Sequence, residues 1–327
     1  MSTRGTEGKG LRPGAALIGA APAVGVFLAA RAVPELGLLA LVSALPIGMA
    51  RLRAGRVSSL AGCLLAVVSI GALEGWVAAL AFLAVMADPV LILAEALAEG
   101  RGAPQAMLRG FAWTGSIAAL ALAQPQTNWS ELATEPLRHY QSPAFLDDVR
   151  GRGVPEEQVE ALSAQFATME RALRVIYPAA FLIMAGLAVV FSAVLLRGQL
   201  ARYRPEAAGP GFEDLRLPLG VAVAFVLSGA ALVSPPLRPI AYNLLAIVAF
   251  LFGLQGLAVV VYYVSRFRGP RLLRVAVVVL FLMIPVGIHV VPLLGLFDTW
   301  FDFRRWAPRP GGADPGGGTD GDSGQRE

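Results

Sequence analysis

Three carboxylates carry the strongest hint of chemistry. Asp88, Glu95 and Glu99 are seven and then four residues apart, so at about 100° per residue they share one face of a helix. Pro89, directly after Asp88, lacks a backbone donor and predicts a break in that helix. Ionisable groups at membrane depth are costly and mark functional sites. A broken helix lined by carboxylates is one way to build an ion or substrate site. Asp88 and Glu95 are therefore candidate substrate-binding residues. The alternative is that the span ends near Asp88 and the stripe is an interfacial edge, because Glu99-Gly100-Arg101 is a boundary.

Two further candidates stand on less. His289 lies between Pro285 and Pro292, which free carbonyls that an imidazole can bond. Gln255 shares an apolar run with Asn243. Both read first as interhelical hydrogen-bonding groups and only second as ligand contacts. Glu74 has no basic neighbour in sequence and is expected in a solvated turn. No HExxH, GxSxG or phosphate-cradling glycine loop is present, and Cys63 is the only cysteine. Nothing announces an enzyme, a metal site or a cofactor.

The elements that must position these residues follow from composition. The chain has 327 residues, 56% hydrophobic and only 15% charged, against about 25% charged in an ordinary soluble domain. The charges cluster between long apolar runs, so the net charge of +4 is no nucleic-acid footprint. A spanning helix needs roughly 20 mostly apolar residues. Candidate spans are 15–31, 35–50, 57–73, 75–97, 105–123, 176–197, 217–234, 240–264 and 272–297. This predicts an all-α, polytopic transmembrane bundle of about nine spans, or eight if one short segment does not cross.

Arginine placement sets the orientation. With a cytoplasmic N-terminus, sixteen basic residues fall on inner segments, among them Arg4, Lys9, Arg51, Arg53, Arg56, Arg202 and Arg204, while the short outer turns carry only Arg31 and Arg238. That is the positive-inside pattern of a multi-pass protein of a bacterial inner membrane. The first helix is expected to stay uncleaved.

The predicted organisation is a cytoplasmic tail (1–14), five spans (15–123), a hydrophilic periplasmic insert (124–175), four spans (176–297), and an interfacial anchor with a disordered tail (298–327). Within the insert, Pro155-Glu156-Glu157 predicts a helix N-terminus. Val159, Leu162, Phe166, Met169, Leu173 and Ile176 form one apolar stripe running on into the sixth span. The stripe fits a helix lying on its own insert or on the membrane surface. Alternatively it is a seam for a membrane or periplasmic protein partner, which would make the chain a non-catalytic envelope scaffold.

The C-terminal residues are the most distinctive. Asn243-Leu244-Leu245 and Gly253-Leu254-Gln255-Gly256-Leu257-Ala258-Val259-Val260 precede Leu294-Gly295-Leu296-Phe297-Asp298-Thr299-Trp300-Phe301-Asp302-Phe303-Arg304-Arg305. These residues resemble the YybS-like family of predicted bacterial membrane proteins, whose domain has no assigned function. That layout is in turn similar to substrate-binding components of energy-coupling-factor vitamin transporters and to the cell-shape protein MreD, which implies solute binding or translocation as the leading expectation. Read physically, Trp300, Phe301, Phe303 and Trp306 suit a headgroup-level aromatic belt. Asp298, Asp302, Arg304 and Arg305 suit pairing with each other or with lipid phosphates. The interfacial-anchor residues are thus Asp298, Trp300, Arg304 and Arg305, with Asp298–Arg304 or Asp298–Arg305 the pair expected to lock the helix end.

Overall fold

Proline, glycine and charge cut this apolar sequence into helices. The computed structural model describes residues 11–124, 127–266, 269–283 and 285–306. The expectations for the first ten residues and for the tail after Trp306 lie outside them. Among the described residues there is no strand.

Helix α1 (Pro13–Ala32) begins on Pro13, whose fixed φ suits the first turn. A 3₁₀ segment (Pro34–Val42) leads to α2 (Leu45–Ala54). Gly55, at φ +100°, ends α2 and admits α3 (Arg56–Glu74), and Gly75, at φ +90°, turns the chain into α4 (Trp76–Ala81). One π turn (Phe82–Ala87) joins α4 to α5 (Asp88–Ala98). Helix α6 (Ala103–Leu122) follows, then the short α7 (Trp129–His139) and α8 (Pro143–Gly151). Asn128 and Ser142 cap this last pair by accepting from the backbone N–H groups of Glu131 and Phe145. The 48-residue α9 (Glu156–Tyr203) is the longest element. The chain closes with α10 (Leu219–Ala231), α11 (Arg238–Arg266), α12 (Arg271–Met283) and α13 (Pro285–Phe301).

Among the described residues, six helical stretches are long and apolar enough to cross a membrane: 13–32, 56–74, 76–98, 156–203, 205–231 and 235–266. The expected count of nine is not confirmed, because three of the expected segments are not among these six. The 35–50 segment is split at Ser43 between a 3₁₀ piece and α2. The 272–297 segment contains residue 284, which lies outside the described residues, so no single stretch is assigned to it. Helix α6 is long enough, but Gln105, Arg109, Thr114 and Ser116 dilute its apolar character.

The exposed surface matches a bilayer solvent. Val77 is 85% exposed and Val233 81%, and Leu80, Leu120, Val226 and Leu272 are also open. A soluble monomer would not leave so much apolar surface uncovered. Inside, Ile47, Phe82, Leu93, Leu97, Met107 and Leu196 are fully buried in one core contributed by α2, the π turn, α5, α6 and α9. Helices approach closely where side chains vanish: a Cβ on Gly48 would lie 2.7 Å from Val90, and one on Gly110 would lie 2.8 Å from Val189. A smaller core joins Leu217, Ala222, Val248 and Phe252.

The insert folds onto α9. Tyr140 stacks on Phe166 at a centroid distance of 5.3 Å, and Val159 is buried. Glu170 accepts hydrogen bonds from Gln141 and Arg174 (3.1 and 2.7 Å), tying the α7 end to α9. Part of the apolar stripe is therefore covered by the chain's own insert.

Farther along α9, Pro178 cannot donate to the carbonyl of Arg174, and its ring crowds that carbonyl. Asn243 of α11 fills the gap. Its Oδ1 accepts from Ala179 N (2.9 Å) and its Nδ2 donates to Val175 O (2.8 Å), two groups that an unbroken helix would pair with each other. Asn243→Ala should destabilise the protein by about 2 kcal/mol by stranding both groups. The loss should shrink in a Pro178→Ala background, where α9 can close its own bond. A double-mutant cycle on thermal unfolding checks this, and equal losses in the two backgrounds would refute it.

Candidate functional site

The π turn sets the geometry around Asp88. With Pro89 unable to donate, the ladder slips by one residue, and Asp88 N–H reaches back five residues to the Leu83 carbonyl. Such π bulges concentrate at functional sites. Asp88 lies twelve residues into the 76–98 stretch, about 18 Å along the axis.

Asp88 and Glu95 open onto one cleft of about 340 Å³, whose wall also includes Arg51, Arg56, Ser59 and Trp113. The stripe read from spacing thus divides into three fates. Glu99, at the helix end, pairs with Arg101 at 2.7 Å and Arg109 at 3.5 Å. Glu95 accepts from Arg51 Nε at 2.6 Å, with the Arg51 side chain 18% exposed. Asp88 is half-buried and has no hydrogen-bond or ion-pair partner among the described residues. The cleft holds two carboxylates and two guanidinium groups, but only Glu95 is neutralised at contact. Trp113, Leu91 and Leu60 supply the apolar wall.

Arg51 and Arg56 carry no signal of this role in the sequence, where they read as boundary charges. Their place in the cleft comes from α2 and α3 packing beside α5 and the π turn. Glu74, expected to stand alone, pairs with Arg31 at 3.1 Å because α1 and α3 run side by side and end together. No group of three or more potential metal ligands occurs among the described residues.

The other sequence candidates lie elsewhere. His289 sits on α13 with an exposed side chain and no hydrogen-bond partner among the described residues. Gln255 belongs to a buried cluster between α11 and α13. Its Oε1 accepts from Leu217 N (2.9 Å), and its Nε2 donates to Asp298 Oδ2 (3.0 Å). Arg304 donates to the same Asp298 oxygen (3.1 Å) and to the carbonyls of Glu213 and Leu215 (2.8 Å each). Asp302 permits this return. At φ +44° it takes the left-handed conformation that Asp tolerates, turning the chain so that Arg304 doubles back to Asp298. Arg305 faces outward and pairs with Asp302 at 2.7 Å, while Trp300 and Phe301 are more than half exposed. The Trp306 side chain lies outside the described residues.

A family described as "Predicted membrane protein (DUF2232)" matches residues 23–299, from within α1 to within α13, in agreement with the resemblance carried by residues 243–305. No curated protein matches the chain. No solved structure matches it.

Proposed function

Because the chain belongs to the family of predicted membrane proteins designated DUF2232, we propose that it works from within the bilayer by binding a small solute with a protonated nitrogen in the Asp88 cleft, in the manner of a transporter's substrate-binding component. The observation that carries this is Asp88 itself, a half-buried carboxylate midway along an apolar helical stretch and without a hydrogen-bond or ion-pair partner among the described residues. An unpaired carboxylate in such a place is costly, and a cationic ligand relieves that cost. Glu95, already bonded to Arg51, shapes the site without competing for the ligand's charge. Trp113 offers an aromatic face against which a cation can rest. In this reading the Arg-rich end of the bundle faces the cytoplasm of a bacterial cell, and the cleft opens nearer that side.

Asp88→Asn tests the reading through two expected outcomes. The ligand-free variant should melt higher than the parent, because an uncompensated charge has been removed from the membrane interior. In a thermal-shift panel of choline, putrescine and arginine, at least one compound should raise the melting temperature of the parent by several degrees and leave Asp88→Asn unmoved. If none of the three shifts the parent, or the variant shifts equally, the proposal fails.

A further inference from the structure

A second polar pocket lies where α2 and α9 both end, outside the Asp88 cleft. Its volume is about 200 Å³, and its wall includes Arg53, Arg204, Gln199 and Tyr203 over an apolar floor of Met49 and Leu52. Arg53 is tethered there by Tyr203 and Gln199. Its Nη2 donates to the Tyr203 hydroxyl at 2.6 Å and to Gln199 Oε1 at 3.5 Å, and the guanidinium lies 4.6 Å from the Tyr203 ring centroid. Its Nε and Nη1 have no partner among the described residues, and neither does the Arg204 side chain. No carboxylate pairs with either residue among the described residues, although eleven other arginines form ion pairs in the same chain.

Pinning a guanidinium over an aromatic ring fixes the direction of its remaining donors, the fork geometry that recognises phosphate oxygens. Basic pockets between helices at a membrane face receive lipid headgroups. The flanking surface continues the fit: Leu195 and Phe191, four and eight residues before Gln199 on the same face of α9, are exposed and apolar.

We propose that the Arg53–Arg204 pocket binds a phosphate group, carried by an anionic phospholipid whose acyl chains run along Leu195 and Phe191. Full-length protein in a neutral detergent would be titrated with dioctanoyl phosphatidylglycerol, dioctanoyl phosphatidylcholine or inorganic phosphate, with bound fractions read by native mass spectrometry. Arg204→Gln, which breaks no side-chain bond among the described residues, should weaken phosphatidylglycerol binding roughly tenfold, as expected for one charge-assisted hydrogen bond. Tyr203→Phe should weaken it less, by freeing the Arg53 guanidinium. Arg202→Gln removes the same charge from outside the pocket and should change nothing.

Tight phosphatidylglycerol binding with weak phosphatidylcholine and inorganic phosphate binding assigns the site to an anionic lipid. Arg204-dependent binding of inorganic phosphate with no preference for phosphatidylglycerol keeps the phosphate site and assigns it to a soluble ligand. The proposal is overturned if Arg204→Gln binds all three probes like the parent, or if Arg202→Gln weakens binding as much.

Discussion

Arg304→Met is expected to lower stability by about 3–5 kcal/mol, the range for breaking a buried ion pair from one side. The Arg304 and Asp298 side chains are only 3% and 4% exposed. The guanidinium satisfies the carbonyls of Glu213 and Leu215 as well as the carboxylate. Its removal strands a charge and two backbone acceptors together. Asp298 would keep donors from Gln255 Nε2 and Phe303 N, but neither is charged. Adding Asp298→Asn to Arg304→Met should therefore recover part of the loss, because the stranded charge is gone. Arg305→Met is the internal control. Arg305 is 80% exposed and bridges Asp302 at the surface, so its loss should cost under about 1 kcal/mol. Thermal unfolding followed by tryptophan fluorescence would report all four proteins. If Arg304→Met melts with Arg305→Met, the cluster does not lock α13 to the 213–217 segment.

The second large effect is steric. Helices α11 and α13 cross at Gly256 and Gly295. A Cβ on Gly256 would overlap the Val291 carbonyl oxygen, and one on Gly295 would overlap the Phe252 carbonyl oxygen. Both obstacles are backbone atoms and cannot rotate away as a side chain would. Even Gly256→Ala must push the helices apart, at a cost of about 3 kcal/mol or more, the upper end for overpacking. Close approach through small residues is how membrane helices gain packing without a hydrophobic drive between them. Gly253 lies on the same helix, but its Cβ would meet only Pro292 Cγ, at 3.8 Å. Gly253→Ala should be tolerated and gain slightly in helix propensity. Equal unfolding midpoints for Gly253→Ala and Gly256→Ala would rule out the crossing as described. The two predictions are linked, because separating α11 from α13 also moves Gln255 away from Asp298.

Much of this architecture is a local property and was legible in one dimension. Apolar runs with little charge can only be satisfied by helices in lipid, so the all-α membrane class follows from composition. Proline and acidic residues at 155–157 mark where α9 begins. The seven- and four-residue spacing of Asp88, Glu95 and Glu99 fixes a shared face for the same local reason, and Pro89 announces an irregular turn just before it. The residues that carry the family resemblance at 253–260 and 294–305 are those that build the α11–α13 crossing and its buried cluster.

Tertiary structure decided which groups are satisfied. Arg51 reaches Glu95 from 44 residues away, and Arg101 and Arg109 take Glu99, so Asp88 alone of the three is left open. Gln255 turns toward Asp298 rather than the cleft, and Asn243 enters a neighbouring helix at Pro178. Periodicity gives the face of one helix. It does not give that helix's rotation against its neighbours, its crossing point or the charge it will meet there. The span count divided along the same line. Length and hydropathy read an unbroken apolar run as one crossing, whereas the break at Ser43 depends on how the short pieces pack against the rest of the bundle.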